Sequence, residues 1–437
     1  MADLPLSPKQ VRSIVEAEHH RIACWEGAVR SGKTFSSLLA FFSAVGDVSD
    51  KREQREQTGL ILITGRTLQT IERNILNPMQ DEALFGPLAD TVKHTRGAGT
   101  ASILGQEVHL VGAADARAEG KLRGLTASLA MVDEATLVPE DFWAQLLYRL
   151  SLPGARLLAT TNPGGPRHWL KTKYLDRVHE PNMDLVSWKF VPDDNPSLTP
   201  AYKAALEAEN TGMFYQRNVR GLWVAAEGAV YPMWDEGRHV ADPATFPNMD
   251  RILNVGIDYG DTHATRGYLL GVGPDTRPGA FGSRLYVLAE WAPKGQTIGA
   301  LSQDLRHWLN RQPGSWGTPE WIAYDHAAAA FKTQLFHDGW TNVRRAHKSV
   351  LPGIQTVAAL LEADKLVVAD TCTHLREELP GYLWDAKATE RGEDAPVKSD
   401  DDSTDALRYA VYTSRLDWRD VVPLTPHRDP DYQLTAA

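Results

Sequence analysis

The chain has 437 residues, 43% apolar and 23% charged, with a net charge of −10. That length exceeds what one compact core serves and implies two domains. The apolar and charged fractions are those of an ordinary globular protein, and the acidic total excludes a uniformly basic DNA-binding module but not a local basic channel.

Two cysteines, Cys24 and Cys372, lie far apart. They exclude a disulfide scaffold or a Cys-based zinc site and fit a reducing cytosol. The start MADLPLSPKQ has no secretory n- or h-region, and no apolar run approaches the ~20 residues of a membrane span. A non-secreted protein away from membranes is expected.

Up to about residue 225, the apolar runs IACWEGA, GLILITG, EVHLVG, SLAMVDEA and ARLLATTN alternate with helical stretches such as 33–45 and 139–150. Short Leu/Ile/Val-rich runs between helices imply a parallel sheet covered on both faces. The charged KREQREQ at 51–57 reads as a solvated loop or helix end. Residues 226–250, with Gly and Pro and no sustained period, read as a linker that packs in part on its neighbours. Then come RILNVGIDYG, GYLLGVG and LYVLAEW, a helix near 297–311, WIAYDH and NVRRAH. A helix near 352–363, KLVVAD and the closing helix DDSTDALRYAVYTS follow. A strand meander followed by α/β elements is the order of an RNase H-like domain. The tail 421–437 reads as frayed.

The first motif is Gly27-Ala-Val-Arg30-Ser31-Gly32-Lys33-Thr34, between an apolar run and a helical one. Glycines let backbone N–H groups wrap phosphates, and the helix N-terminus adds partial positive charge. Lys33 would reach the β- and γ-phosphates of ATP, and Thr34 would hold Mg²⁺. About a hundred residues later, Leu129-Ala-Met-Val-Asp133-Glu134 ends an apolar strand in two acids. Asp133 suits the Mg²⁺ shell and Glu134 suits polarising the attacking water. One strand further, Thr160, Thr161 and Asn162 stand at a strand end facing the same crevice, where they can sense the γ-phosphate; the plainer alternative is a strand exit before Pro163. These features imply a P-loop, RecA/ASCE-like ATPase domain over 1–225.

The second constellation is acidic. Asp258 and Asp325 each end an apolar strand, and Asp401, Asp402 and Asp405 open a helix. Such carboxylates repel unless a cation lies between them, and together they suit two Mg²⁺ or Mn²⁺ ions about 3.5–4 Å apart for attack on a phosphodiester. Singly, each reads as a cap or surface charge, and Asp401 and Asp402 as helix caps. Asp261 and His326 would support the first two acids. Arg344, Arg345 and Lys348 form a basic cluster, a solvated face or a DNA contact. An RNase H-like nuclease domain over 251–420 follows.

P-loop, Asp-Glu strand, Thr-Thr-Asn-Pro, linker and three-acid set, in that order, resemble the large terminase family of tailed phages over nearly the whole chain. Asp193-Asp-Asn195-Pro196-Ser-Leu198, Arg220-Gly-Leu-Trp223, Gly256-Ile-Asp258-Tyr-Gly260 and Asp402-Ser-Thr-Asp405-Ala-Leu-Arg408-Tyr409 resemble its further signatures. The resemblance implies that Gln10 contacts the adenine and that Arg30 is the family's basic P-loop residue. It implies that Arg123, eleven residues before Glu134, acts on a neighbouring subunit's ATP. Asp402, where some relatives carry His, is favoured over Asp405 as primary ligand. Implied partners are double-stranded DNA, the portal protein and a small terminase subunit, in the host cytoplasm. A ring is implied on the portal, and a monomer in the free state. A cellular helicase–nuclease or repair ATPase would show further helicase motifs and an Arg-rich segment after the linker, and none is seen. A DNA-binding assembly protein with a dead nuclease is disfavoured by the intact acids at 258, 325 and 402.

Overall fold

A computed structural model describes residues 6–54, 59–114, 116–180, 182–260, 263–294, 297–325 and 328–424. The chain divides into two compact units. The first is Met1–Lys203 with Gly212–Ala225 and Glu390–Glu393; the second is Ala204–Thr211 with Ala226–Thr389 and Asp394–Ala437.

The strands of the first unit are β1 (Ile22–Gly27), β2 (Leu60–Gly65), β3 (Lys93–His94), β4 (Thr100–Ile103), β5 (Gln106–Gly112), β6 (Ala127–Val132), β7 (Arg156–Thr161) and β8 (Leu185–Phe190). Their order is β3-β4-β5-β2-β6-β7-β1-β8. From β5 to β8 all pairings are parallel, and β3 and β4 add an antiparallel edge. Successive strand residues serve opposite faces. Ile63 and Met131 pack with Phe41 of α2 (Lys33–Glu53), whereas Leu62 and Ala130 pack with Phe142 and Trp143 of α3 (Glu140–Arg149). Both faces are therefore covered, which is why these strands read as unbroken apolar runs. Strand β7 stands between β1 and β6, the RecA-like arrangement.

The second unit holds β9 (Val240–Ala241), β10 (Arg251–Asp258), β11 (Arg266–Pro274), β12 (Ser283–Trp291), β13 (Trp321–Tyr324), β14 (Val343–Arg345) and β15 (Leu366–Ala369), ordered β14-β13-β10-β11-β12-β15-β9. Only β11 runs antiparallel to its neighbours. In chain order from β10, the five strands β12-β11-β10-β13-β14 lie 3-2-1-4-5 with the second reversed, an RNase H-like sheet. Helices α4 (Ile298–Asn310) and α5 (Ala329–His337) cover one face, where Leu305 and Phe331 meet Val255, Ile257 and Ile322. Helix α6 (Val350–Glu362), α7 (Thr373–Gly381) and α8 (Asp402–Thr413) follow. Helix α8 lies directly on β10. Asn254 Nδ2 donates to Ala410 O at 2.9 Å, and a Cβ at Gly256 would stand 2.3 Å from Ala410 N.

The 226–250 stretch, expected as a linker, is built into the second unit. Val240 and Ala241 extend the sheet beside β15, and the buried His239 bonds through Nε2 to Leu361 O at 3.0 Å. A 3₁₀ turn capped by Asp242 and opened by Pro243 follows directly and masked the two-residue strand. Of the tail expected to be frayed, Val421 O accepts from Ser283 N and Val422 is buried; residues 425–437 lie outside the described residues. Among the described residues no helix is long and apolar enough to cross a membrane.

Candidate functional site

Two groups of side chains, one in each unit, hold the chemistry. In the first, β1 ends at Gly27, where φ is 134° and a Cβ would stand 2.0 Å from Phe190 O of β8. Only glycine fits there. The loop turns through Arg30 (φ 56°) and Gly32 (φ 85°) into α2. A left-handed arginine is costly, and Asn195 Nδ2 holds it by donating to Arg30 O at 2.8 Å. Ser31 turns inward, its Oγ donating to Ala28 O at 2.8 Å, so it braces the loop. Lys33 Nζ donates to Ala28 O at 2.9 Å and to Asn162 Oδ1 at 2.7 Å. Burial holds its pKa down to about 8, with Glu134 and Asp133 opposing that shift.

Asp133 follows β6, and both its oxygens are held: Thr160 Oγ1 donates to Oδ1 at 2.9 Å and Asn74 Nδ2 to Oδ2 at 3.0 Å. Glu134 has a left-handed backbone (φ 50°, ψ 58°), and its N–H reaches Thr160 Oγ1 at 3.3 Å. Burial, then Asp133, raises its carboxyl above the usual range, against Lys33, Arg73 and Arg66. Thr161 Oγ1 accepts from Thr136 N at 3.2 Å. Lys33, Thr34, Asp133, Glu134, Thr160 and Asn162 thus line one cleft of about 650 Å³ at the C-terminal edge of the sheet, the ligand position of open α/β sheets.

Gln10 reaches the same cleft from α1 (Pro8–Ala17). Its Oε1 accepts from Ser7 N at 2.8 Å in a capping box, leaving Nε2, 3.5 Å from Gly32 O, as its available donor face. Arg123 does not line this cleft. It follows the 3₁₀ turn Ala116–Leu122, is 72% exposed and pairs with Glu119 at 2.6 Å.

In the second unit, Ile257 pairs with Tyr324, which sets Asp258 and Asp325 side by side at neighbouring strand ends. Helix α8 brings Asp402 and Asp405 over β10. Asp258 is pushed up to about 7, first by burial, then by Asp405, Asp325, Asp402 and Asp401 in falling order. Of the two α8 carboxylates, Asp405 raises Asp258 more; Asp405 is buried and Asp402 half-buried. Asp402 is raised by burial and by Asp401, and is held the other way by His263, Arg266 and the Ala264 N–H.

Protein cations meet this charge at three points, the most exposed being Lys398, whose Nζ is 3.4 Å from Asp401 Oδ2. Lys348 Nζ donates to Asp325 Oδ2 at 2.6 Å, and Arg408 Nη2 is 2.7 Å from Asp405 Oδ1, off the hydrogen-bonding direction. Asp405 Oδ1 and Asp401 Oδ2 are buried without a hydrogen-bond partner. Hard carboxylate oxygens gathered closely enough to raise Asp258 to about 7 fit a divalent cation. Among the described residues no three ligand side chains already converge at metal distance.

The expected basic cluster divides. Arg344 Nη2 donates to Thr413 O at 2.9 Å and its guanidinium covers the Trp321 ring, so it braces β14. Lys348 turns into the acid site, and Arg345 is exposed. Asp261 and His326 lie outside the described residues. Sequence reasoning missed Asn74, which holds Asp133, and Glu378, which accepts from Ser403 N (2.7 Å) and Oγ (2.6 Å) at the start of α8. Single polar residues inside helical stretches carry no sequence signal.

A P-loop cleft on a RecA-like sheet, followed in one chain by an RNase H-like sheet with clustered acids, defines a nucleotide-binding protein with a second, carboxylate-bearing domain. Residues 24–238 match the family described as terminase large subunit, T4likevirus-type, N-terminal. The large terminase of a thermophilic bacteriophage, solved in complex with ATP-gamma-S, is 30% identical; the match covers 94% of this chain and 99% of that one, with a TM-score of 0.76. The same phage protein in complex with ADP gives 29% identity, 94% and 100% coverage and a TM-score of 0.78. The terminase large subunit of Escherichia phage T5 is 23% identical over 305 residues, 66% of the length of each protein. The chain belongs to the terminase large subunit family.

Proposed function

We propose that this chain is a DNA-packaging motor subunit with its own nuclease. It hydrolyses ATP to drive double-stranded viral DNA into a procapsid, and it cuts concatemeric DNA at the start and end of packaging. The observation that carries this reading is the presence of two separate acid-bearing sites in one chain, one built around Lys33 and one around Asp258.

In the first site, Lys33 and the P-loop N–H groups hold the phosphates, Thr34 and Asp133 hold Mg²⁺, and Gln10 and Arg30 flank the nucleotide. Glu134, its proton affinity raised, orients and activates the attacking water. Asn162 shares Lys33 with the loop carbonyl, so loss of the γ-phosphate changes what Lys33 bonds to, and β7 feels it. In the second site, Asp258, Asp325, Asp405 and Asp402 hold Mg²⁺ or Mn²⁺. Such ions supply Lewis-acid stabilisation of the phosphodiester and an activated water. The partners are the portal protein, on which a ring of copies assembles, and a small terminase subunit that selects DNA, in the host cytoplasm.

The test mixes this protein with portal-bearing procapsids, linear duplex DNA and ATP. Protection of DNA from DNase that requires ATP is expected. ATP-driven strand separation without protection would identify a helicase instead.

Arg123 acts on the ATP of the next subunit. Its side chain is exposed and outside its own cleft, where a neighbour can approach, and an arginine finger is worth ~10³–10⁵ in rate. Arg123→Ala and Lys33→Ala are each expected to be inactive in ATP hydrolysis. Mixed under ring-forming conditions, they regain activity at interfaces that pair an intact P-loop with an intact finger. A mixture as inactive as its parents, in rings shown to be mixed, removes the trans role.

A further inference from the structure

We infer that Arg73 and Asn74 form a nucleotide-sensing pair within the subunit: Arg73 binds the terminal phosphate of the nucleotide held by its own P-loop, and Asn74 orients Asp133. The inference rests on the ATP-site reading and adds two residues to it. Strand β2 runs beside β6, with Thr64 paired to Val132 and Thr64 O accepting from Asp133 N at 2.9 Å. After β2, Thr67 caps a single helical turn, which passes into the π turn Glu72–Leu76. Such wide turns re-aim side chains and recur at functional sites. Here Ile71, Ile75, Leu76 and Met79 are wholly buried and fix the rotation of the segment. Arg73 and Asn74 are left lining the nucleotide cleft.

The bonds form a chain. Arg73 Nε donates to Asn74 Oδ1 at 3.1 Å, and Asn74 Nδ2 donates to Asp133 Oδ2 at 3.0 Å. With Thr160 on the other oxygen, the Asp133 carboxylate is fixed in plane. Among the described residues no carboxylate pairs with the Arg73 guanidinium, although it lies near enough to lower the proton affinity of Glu134. A fork of donors lining the nucleotide cleft, with its remaining N–H groups unspent on protein acids, suits a terminal phosphate. Arg123 stands outside the cleft and does not do this work in cis, whereas Arg30 lines the cleft from the P-loop side.

The test measures affinities for ATP-gamma-S and ADP on the monomeric full chain with Mg²⁺, so only contacts within a subunit are read. Arg73→Ala is expected to weaken ATP-gamma-S binding by ~10-fold or more and to leave ADP binding unchanged; Arg73→Lys restores part of the difference. Asn74→Ala is expected to raise the Mg²⁺ concentration that half-saturates ATP-gamma-S binding. An unchanged ratio of ATP-gamma-S to ADP affinity in Arg73→Ala, or equal weakening of both, overturns the phosphate role. An unchanged Mg²⁺ requirement in Asn74→Ala overturns the orienting role. Failure of the wild-type chain to bind either nucleotide would instead overturn the ATP-site reading itself.

Discussion

Lys33→Ala is expected to abolish ATP hydrolysis and to leave the folded protein intact. The ammonium is a buried cation of the P-loop, and removing one preorganised charge from a phosphoryl-transfer site costs on the order of 10²–10³ in rate. The fold is spared because Lys33 is held there at some cost. Its pKa is about 8, below the unfolded value. A base whose folded pKa is depressed binds fewer protons in the native state between the two values. Stability from this group therefore rises with pH through that window and is lowest below about 8. Nucleotide-free Lys33→Ala is thus expected to melt no lower than wild type at neutral pH. In the wild type, ATP-gamma-S affinity weakens as pH rises past about 8, where the free protein surrenders the proton that the phosphates need. Hydrolysis assays, melting curves and a pH series of binding isotherms check the three statements. Wild-type hydrolysis in Lys33→Ala removes the assigned site.

Much of this cleft was legible because its parts are local. A P-loop needs glycines at fixed offsets, and an apolar strand ending in Asp133-Glu134 has few other uses beside one. The runs around Leu62, Met131 and Leu158 identified strands, since burial on both faces demands unbroken apolar residues. The order of those strands was not readable, because register and neighbours are set by packing across helices. The edge strands β3, β4 and β8 escaped notice, being short or carrying Lys189 and Ser187 among their apolar positions. Asn74 escaped because its partner lies 59 residues away. In the second unit, the strand-end acids stood out, but the roles of the α8 acids could not be read, because they depend on the face α8 turns to β10. That face is set by the close approach of Gly256 to Ala410, a contact between residues far apart in sequence.

Asp258→Asn is expected to stop DNA cleavage and to leave ATP hydrolysis near wild type, because its carboxylate belongs to the second unit alone. It stands at the centre of the acid group, where the charges of Asp405, Asp325, Asp402 and Asp401 all reach it. Losing a ligand shared by two ions usually costs orders of magnitude in rate. The same substitution has an opposite effect on stability. A carboxyl raised to about 7 keeps its proton in the folded state while the unfolded chain has lost it from about pH 4 upward. The native state then binds more protons, so stability falls as pH rises from about 4 to about 7, and above that the buried charge is simply unfavourable. Asparagine removes that penalty. In metal-free buffer at about pH 7.5, Asp258→Asn should melt higher than wild type, by roughly 2–4 °C for each kcal/mol relieved in a domain of this size. Adding Mn²⁺ should raise the wild-type melting temperature and leave the variant nearly unmoved, because only the wild type keeps the full set of oxygens for the ion. Plasmid nicking and melting curves with and without Mn²⁺ read both effects on one preparation. Nicking at the wild-type rate in Asp258→Asn would dismiss the site. A variant that melts lower than wild type without metal would show that Asp258 is held by partners other than the repelling acids around it.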